Sequence, residues 1–198
     1  MDPIAMTIST KTSRTTLIPF FTERFQKLGG IVETASTPEE AATKTAEIIA
    51  SNHVRSVFKL KLFNDVDRQI STTLSSKRLS VLEECSGNPL EVLSSVDAGL
   101  STAEAAIAET GTLVEVAYDD LDRLVSSLPR VHVVFVKSST IVERVSDVAG
   151  ILRSAAEKAK ACTVSLISGP SRSGDIEQRL VLGVHGPHVV AAVVLKWL

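Results

Sequence analysis

The chain has 198 residues, of which 44% are hydrophobic, 22% charged and only 4% aromatic, and its formal net charge is -2. This length suffices for one domain with a buried core, which valine, leucine, isoleucine and alanine must fill, as in a parallel sheet covered by helices. Neither half of the chain is basic, so the charge pattern does not indicate a partner that is a nucleic acid or an anionic membrane.

The ends of the chain carry no targeting pattern. The N-terminus lacks the basic and then apolar order of a secretory signal. The late apolar stretch Val189–Leu195 is far shorter than the roughly 18–20 residues that span a bilayer. We therefore expect a cytoplasmic protein with one domain over residues 1–198, in which residues 1–13 are a disordered or vector-derived extension.

The cysteines and histidines exclude the usual metal centres. Cys85 and Cys162 are the two cysteines, and neither belongs to a CxxC pair, whereas an iron–sulfur cluster usually needs about four thiolates. Both are expected to be free thiols in a reducing compartment. The four histidines show neither HxxxH nor HExxH spacing. We expect no metal and no cofactor in this chain.

The first third of the chain predicts alternating helices and strands. The predicted ranges are a helix over Arg14–Leu28, a strand over Ile31–Thr34, a helix over Thr37–Asn52, a strand over Val54–Leu60 and a helix on Val66, Ile70 and Leu74. The second of these helices has the clearest start, because Thr37 can cap it, Pro38 takes its first position and Glu40 completes a capping box.

The middle of the chain is less regular. A further helical piece is predicted over Leu79–Leu82, and a short strand over Leu90–Val96. A capping pattern at Ser101–Glu104 predicts an alanine-rich helix that ends near Ala108. Gly111 then lets the chain turn into a strand over Thr112–Val116.

The last third predicts a helix over Asp119–Leu128, a strand over Val131–Val136, a long helix over Val142–Ala161 and a strand over Thr163–Ile167. The apolar segments Leu180–Val184 and Val189–Leu195 predict a hairpin at a sheet edge. The alternation predicts an α/β fold: a three-layer α/β/α sandwich whose mostly parallel sheet has a mixed edge, plus an N-terminal helix.

The first candidate site segment contains Glu109, Thr110, Gly111 and Thr112. Glu109 could act as a base, a nucleophile or an orienting group. The threonine hydroxyls and backbone N–H groups beside Gly111 could face a small anion. The alternative is a tight turn with a glutamate that faces solvent.

The second candidate segment follows the Thr163–Ile167 strand and is expected to enter a helical turn. Arg172 offers a fork that matches a carboxylate or phosphate, and N–H groups at a helix start favour anions. The other candidates in this region are Gly169, Ser171, Ser173, Asp175 as a cap, and His185, whose imidazole can act near neutral pH. The alternative is an ordinary surface loop. The GxGxxG, Walker A and GxSxG spacings are missing from the sequence.

These segments resemble the lactate utilization protein C family, which has the LUD domain. The resemblance covers residues 97–195 and rests on Ala108–Val114, Leu128-Pro129, His132 and its valine-rich strand, Ser168–Glu177 and Leu182–Pro187. Two positions depart from it, because the family commonly has Ser-Arg-Thr-Ala-Asp where this chain has Ser171-Arg172-Ser173-Gly174-Asp175.

The resemblance implies a fold similar to the sugar-phosphate isomerase and CoA-transferase superfamily. It also implies an accessory subunit in a system that oxidises L-lactate to pyruvate, with iron–sulfur clusters in partner proteins. The loop around Arg172 itself predicts a small carboxylate or phosphate anion as ligand. Two alternatives stay open: a stand-alone enzyme that uses Glu109 on a sugar phosphate, a folate or a CoA thioester, and a ligand sensor or scaffold. The sequence also leaves open whether the chain forms a homo-oligomer.

Overall fold

The computed structural model describes residues 14–159, 161–174, 180–182 and 186–198. Its helices are α1 (Arg14–Lys27), α2 (Pro38–Ser51), α3 (Asn64–Ser76), α4 (Pro89–Ser95), α5 (Asp120–Val125) and α6 (Ala149–Lys158). Its strands are β1 (Ile31–Ala35), β2 (Ser56–Lys59), β3 (Ser80–Leu82), β4 (Ala98–Thr102), β5 (Ala105–Ile107), β6 (Thr112–Ala117), β7 (Val131–Lys137), β8 (Ile141–Val142), β9 (Thr163–Ile167), β10 (Arg172–Gly174), β11 (Leu180–Leu182) and β12 (Val189–Leu195). None of the helices in this part of the chain is long and apolar enough to cross a membrane.

The main sheet has six strands in the order β1-β12-β7-β4-β2-β3, and each pair of neighbours is parallel. Its longest pairing joins β7 to β12, from Val131 opposite Val189 to Lys137 opposite Leu195. Both strands are almost wholly buried. A continuous apolar run of this kind is typical of a parallel strand covered on both faces.

The side chains of β7 alternate between two cores. Val133 and Phe135 pack with α2 and α3 on one face of the sheet. Val134 and Val136 pack on the other face, against α1 and a smaller sheet. The helices α4 and α5 cover Phe58 on that second face. This arrangement confirms the predicted three-layer α/β/α sandwich with its mostly parallel sheet and N-terminal helix.

The smaller sheet has four strands in the order β8-β5-β6-β9. The strand β6 runs antiparallel to both β5 and β9, whereas β5 is parallel to β8. Its inner face packs through Leu113 against the main sheet, and its outer face packs through Ile107 and Val114 against Val148 and α6. Segments that follow β4 and β7 in the chain therefore form a second sheet, which is stacked on the first.

Three predicted elements in the middle of the chain were wrong. Leu79–Leu82 is not helical but contains β3, and Leu90–Val96 is not a strand but lies mainly in α4. Asn88 explains that helix, because its side chain caps the backbone N–H of Leu90 and Pro89 follows at the first helical position. Residues 101–108 contain the end of β4 and all of β5 rather than a helix. Short apolar runs fit either structure, and burial between layers decides among them.

Three further predictions were wrong towards the C-terminus. The predicted helix over Val142–Ala161 begins as β8 and a 3-10 turn, and α6 starts only at Ala149. The predicted hairpin at a mixed edge is also wrong, because β12 lies inside the main sheet between β1 and β7. The strand β11 pairs with β10 instead, so Arg172–Gly174 is extended rather than helical. A fully buried strand gains more from two parallel neighbours than from the nearest segment in sequence.

Candidate functional site

The chain reverses its direction of travel across the main sheet between β2 and β4. From β2 it passes through α3 to β3 on one side, whereas from β4 it leads to β7 on the other side. In open α/β sheets, ligands bind outside the carboxyl ends of the strands at such a topological switch point. A groove of about 220 Å³ lies at this position, where Lys61 follows β2, Thr102 ends β4 and Glu104 comes shortly after it. We call it the switch-point groove.

Three buried polar side chains meet at the base of the switch-point groove. Ser101 comes from β4, His132 from the adjacent β7, and Glu115 from β6 of the smaller sheet. Ser101 Oγ donates to Glu115 Oε1 at 2.5 Å and lies 2.8 Å from His132 Nε2. His132 is fully buried, while Ser101 and Glu115 are 3% and 7% exposed. Stacking of the two sheets therefore places a carboxylate, a hydroxyl and an imidazole together.

The order of these groups differs from that of a hydrolase triad. In a triad the acid and the serine contact different ring nitrogens of the histidine, whereas here the same atom, His132 Nε2, lies 2.8 Å from Ser101 Oγ and 3.4 Å from Glu115 Oε1. Because the serine hydroxyl has one proton and directs it to the carboxylate, His132 Nε2–H donates to Ser101 Oγ. His132 Nδ1 has no hydrogen-bond partner among the described residues. The cluster therefore holds Glu115 in place rather than activating Ser101 as a nucleophile.

The switch-point groove carries more acidic than basic groups. Glu104, Glu115 and Asp122 line it, and its lysine, Lys61, is paired with Asp67 at 3.0 Å. Burial raises the pKa of Asp122, and the charges of Asp119 and Glu115 raise it further. In the described part of the chain, no group of three or more His, Cys, Asp or Glu side chains is arranged to hold a metal ion.

The sequence analysis named none of the three residues in this cluster as a site residue, and His132 entered it only as part of the family motif. Ser101 was predicted to cap a helix, and Glu115 was read only as part of a strand. The available signal was the alternation in β6, where Glu115 occupies the same face as the inward-facing Leu113. A glutamate on the buried face of a strand indicates a polar partner.

The first predicted site segment lies beside α1. Glu109 is exposed, its Oε1 accepts a hydrogen bond from the backbone N–H of Val145 at 2.8 Å, and it lines a different cleft together with Arg24. Thr110 Oγ1 and Thr112 Oγ1 are 2.7 Å apart, and Thr112 Oγ1 is 2.8 Å from Ser168 Oγ. This chain of hydroxyls brings the first segment into contact with the second.

The second predicted segment also contacts α1. Arg172 Nη2 donates to the carbonyl oxygen of Leu28 at 2.7 Å, and Gly169, with a φ of +122°, lies against the same carbonyl. A cation at a helix C-terminus is favourable because the last carbonyls carry partial negative charge. The backbone of Ser173 pairs with Val181 in the hairpin, while Asp175 and His185 lie outside the described residues.

A serine-lined cleft connects the second segment to the switch-point groove. Ser171 and Gly169 line this cleft of about 260 Å³ together with Ser126 and Ser165, which also line the groove. The backbone N–H of Ser171 donates to the carbonyl of Pro187 at 2.9 Å. Of the predicted residues, Gly169 and Ser171 are therefore next to the groove, whereas Glu109 lines the cleft beside α1. Their role in ligand binding stays a prediction.

Replacing Gly111 by alanine is expected to lower the free energy of unfolding by about 2–4 kcal/mol. The φ of Gly111 is +62°, and a Cβ there would lie 2.5 Å from the backbone nitrogen of Phe25. Chemical denaturation measures the effect. The matched control is Gly150→Ala in α6, where a Cβ meets nothing within 4 Å and should not destabilise the protein. Equal stability of the two variants would show that α1 does not dock closely on this turn.

The family model and the similar curated proteins identify the same family. The model of the LUD domain matches residues 18–195. The protein named lactate utilization protein C from Bacillus subtilis is 42% identical over 101 residues, which cover 49% of this chain and 41% of that protein. The protein of the same name from Anoxybacillus flavithermus is 37% identical over 106 residues, which cover 54% of this chain and 47% of that protein. The one from Halalkalibacterium halodurans is 34% identical over 131 residues, which cover 64% of this chain and 56% of that protein. The chain spans about half the length of the curated relatives it matches.

A solved structure shows the same fold. The crystal structure of a DUF162 family protein from Deinococcus radiodurans superposes with a TM-score of 0.65 at 22% identity, covering 93% of this chain and 99% of that one. The family match extends from within α1 to the end of β12, and so includes both sheets and both motif segments. This chain belongs to the LUD domain family.

Proposed function

We propose that this chain acts in lactate utilization, as an accessory subunit of a system that oxidises L-lactate to pyruvate together with iron–sulfur proteins. The observation that carries the proposal is the identity of 34–42% to three proteins named lactate utilization protein C. The aligned region of the Bacillus subtilis relative comprises about half of this chain.

The cysteine content supports an accessory role. Oxidation of lactate to pyruvate releases two electrons, which need an acceptor. The sequence has only Cys85 and Cys162, fewer than the about four thiolates that usually hold an iron–sulfur cluster. Both cysteines are free thiols of intermediate burial. We therefore assign the electron-transfer centres to partner proteins.

The serine-lined cleft is the better place for the carboxylate of lactate. The hydroxyl groups of Ser165 and Ser171 can donate to a carboxylate, and the described residues that line this cleft carry no formal charge. Arg172, beside Ser171, is exposed and donates to the carbonyl oxygen of Leu28, and a guanidinium has further donors that suit an anion. The switch-point groove, in contrast, is acidic.

Deleting the gene from its host is expected to abolish growth on L-lactate and to leave growth on pyruvate unchanged. The reason is that the accessory subunit is needed only before pyruvate is formed. Re-expression of the full chain should restore growth, and affinity purification of the tagged chain should bring down proteins that contain iron and acid-labile sulfide. Normal growth of the deletion strain on L-lactate would contradict the proposal. So would lactate-dependent electron transfer by the purified chain alone.

A further inference from the structure

We infer that the switch-point groove binds a small molecule that has an O–H or N–H donor and no negative charge, through the carboxylate of Glu115. This inference goes beyond lactate utilization and does not depend on it. It rests on the position of the groove, on the hydrogen bonds at its base and on its charge.

The position and size of the groove define the scale of the ligand. The groove lies where the carboxyl ends of β2 and β4 meet and the chain diverges, which is the usual ligand position in open α/β sheets. Its volume of about 220 Å³ is below the about 300–1,000 Å³ typical of sites for drug-sized ligands. It therefore suits a molecule with few non-hydrogen atoms.

Glu115 supplies the acceptor for such a molecule. Its Oε1 accepts the hydrogen of Ser101 Oγ, and its Oε2 receives no hydrogen bond from any described residue. An ionised carboxylate only accepts hydrogen bonds, so its partner in the groove must be an O–H or N–H donor. Ser101 and His132 are positioning residues, because they hold Glu115 in one orientation from the buried side.

The charge of the groove selects against anions. Glu104 and Asp122 line the groove with Glu115, while Lys61 is already paired with Asp67. A carboxylate or phosphate here would meet like charges in a partly desolvated site, where electrostatic repulsion is stronger than in water. A cationic amine on the ligand would instead be attracted by the negative charges of these carboxylates. Ligands should therefore bind more tightly as their charge becomes more positive.

Three probes with one carbon skeleton test this order: L-lactate, L-lactamide and (S)-1-amino-2-propanol, which have the same hydroxyl but charges of -1, 0 and +1. Titration followed by protein NMR should show the amine binding most tightly and lactate least, with about a tenfold difference between them. The result is overturned if lactate binds the groove more tightly than lactamide, or if no probe binds at concentrations on the order of 10 mM.

Variants test whether Glu115 causes this order of affinities. Glu115→Gln keeps the shape of the side chain and should weaken binding of the amine by about tenfold, which reduces the preference for it over lactamide. Ser101→Ala should weaken all three probes but preserve their order, because the charge remains and only its positioning is lost. The control is Glu91→Gln, which removes an exposed carboxylate on α4 away from the groove and should change nothing.

A second variant keeps the inference testable if Glu115→Gln does not fold. Asp122→Asn removes a charge from the wall of the groove and leaves the buried cluster intact. It should reduce the difference between the amine and lactate without removing it. Unchanged affinities in both Asp122→Asn and Glu115→Gln would overturn the assignment of the ligand to this groove.

Discussion

Replacing Phe25 by alanine is expected to lower the free energy of unfolding by about 3–5 kcal/mol, among the largest effects of any single substitution in this protein. Phe25 is completely buried, and its ring stacks on that of Phe21 with centroids 5.3 Å apart. The ring also contacts Gly30 where a side chain would otherwise lie. Truncation would leave a cavity between α1 and the two sheets, which surrounding side chains cannot fill without strain.

Phe20→Ala is the matched control, because Phe20 lies in the same helix but is 56% exposed. It should change the unfolding free energy by less than about 1 kcal/mol. Thermal unfolding should separate the variants by about 6–20 °C. Because Gly111, Gly169 and Arg172 all contact the last turns of α1, hydrogen exchange near those residues should also increase in Phe25→Ala. Equal stability of the two variants would contradict the docking of α1 described above.

Replacing Asp67 by alanine is expected to cost about 3–5 kcal/mol at neutral pH. Asp67 Oδ1 accepts from Lys59 Nζ at 2.7 Å, and the side chain of Lys59 is only 2% exposed. Removing the aspartate leaves this ammonium with Glu83, 3.3 Å away and half exposed. Chemical denaturation measures the loss. Asp120→Ala breaks an exposed pair with Arg123 and should have little effect, and Lys59→Met in the Asp67→Ala background should recover part of the stability.

The lowered pKa of Asp67 predicts that the protein loses stability in acid. Burial alone would raise the pKa of Asp67, but hydrogen bonds from Lys59, the Leu62 N–H and Lys61 outweigh it and lower the pKa to about 2. Its contribution of about 2 kcal/mol is therefore complete above about pH 4 and is lost as the pH falls towards 2. Unfolding free energies across this range should fall less steeply in Asp67→Ala than in the wild-type chain. Parallel curves would contradict the lowered pKa.

Local signals predicted several helices and strands of the fold well. Thr37 caps α2 by accepting from the Glu40 N–H, as the capping box indicates, and the apolar run Val131–Val136 is a central strand. The weak point was the segment between Leu79 and Ala108, where small residues dominate β4 and β5. Gly99 shows why, because a Cβ there would strike the backbone of Val125, so β4 needs small residues in order to accept α5. Helix propensity of alanine gave the opposite prediction.

The candidate site shows a sharper division between sequence and structure. The motif segments around Gly111 and Arg172 could be recognised in the sequence, and the structure places both of them against the end of α1. No local pattern joined Ser101, Glu115 and His132 into one cluster, because each residue lies on a different strand. Only the pairing of β4 with β7 and the stacking of the smaller sheet bring them within hydrogen-bond distance.

The amino-acid sequence by itself determined the fold class, the N-terminal helix, the helix that follows Thr37 and the central valine-rich strand. These features depend on side-chain spacing and capping within a few residues. Only the tertiary structure decided that β12 lies between β1 and β7, and that Glu115 reaches Ser101 above the main sheet. Strand order and sheet stacking depend on burial shared by residues far apart in the chain, and no local pattern carries that information.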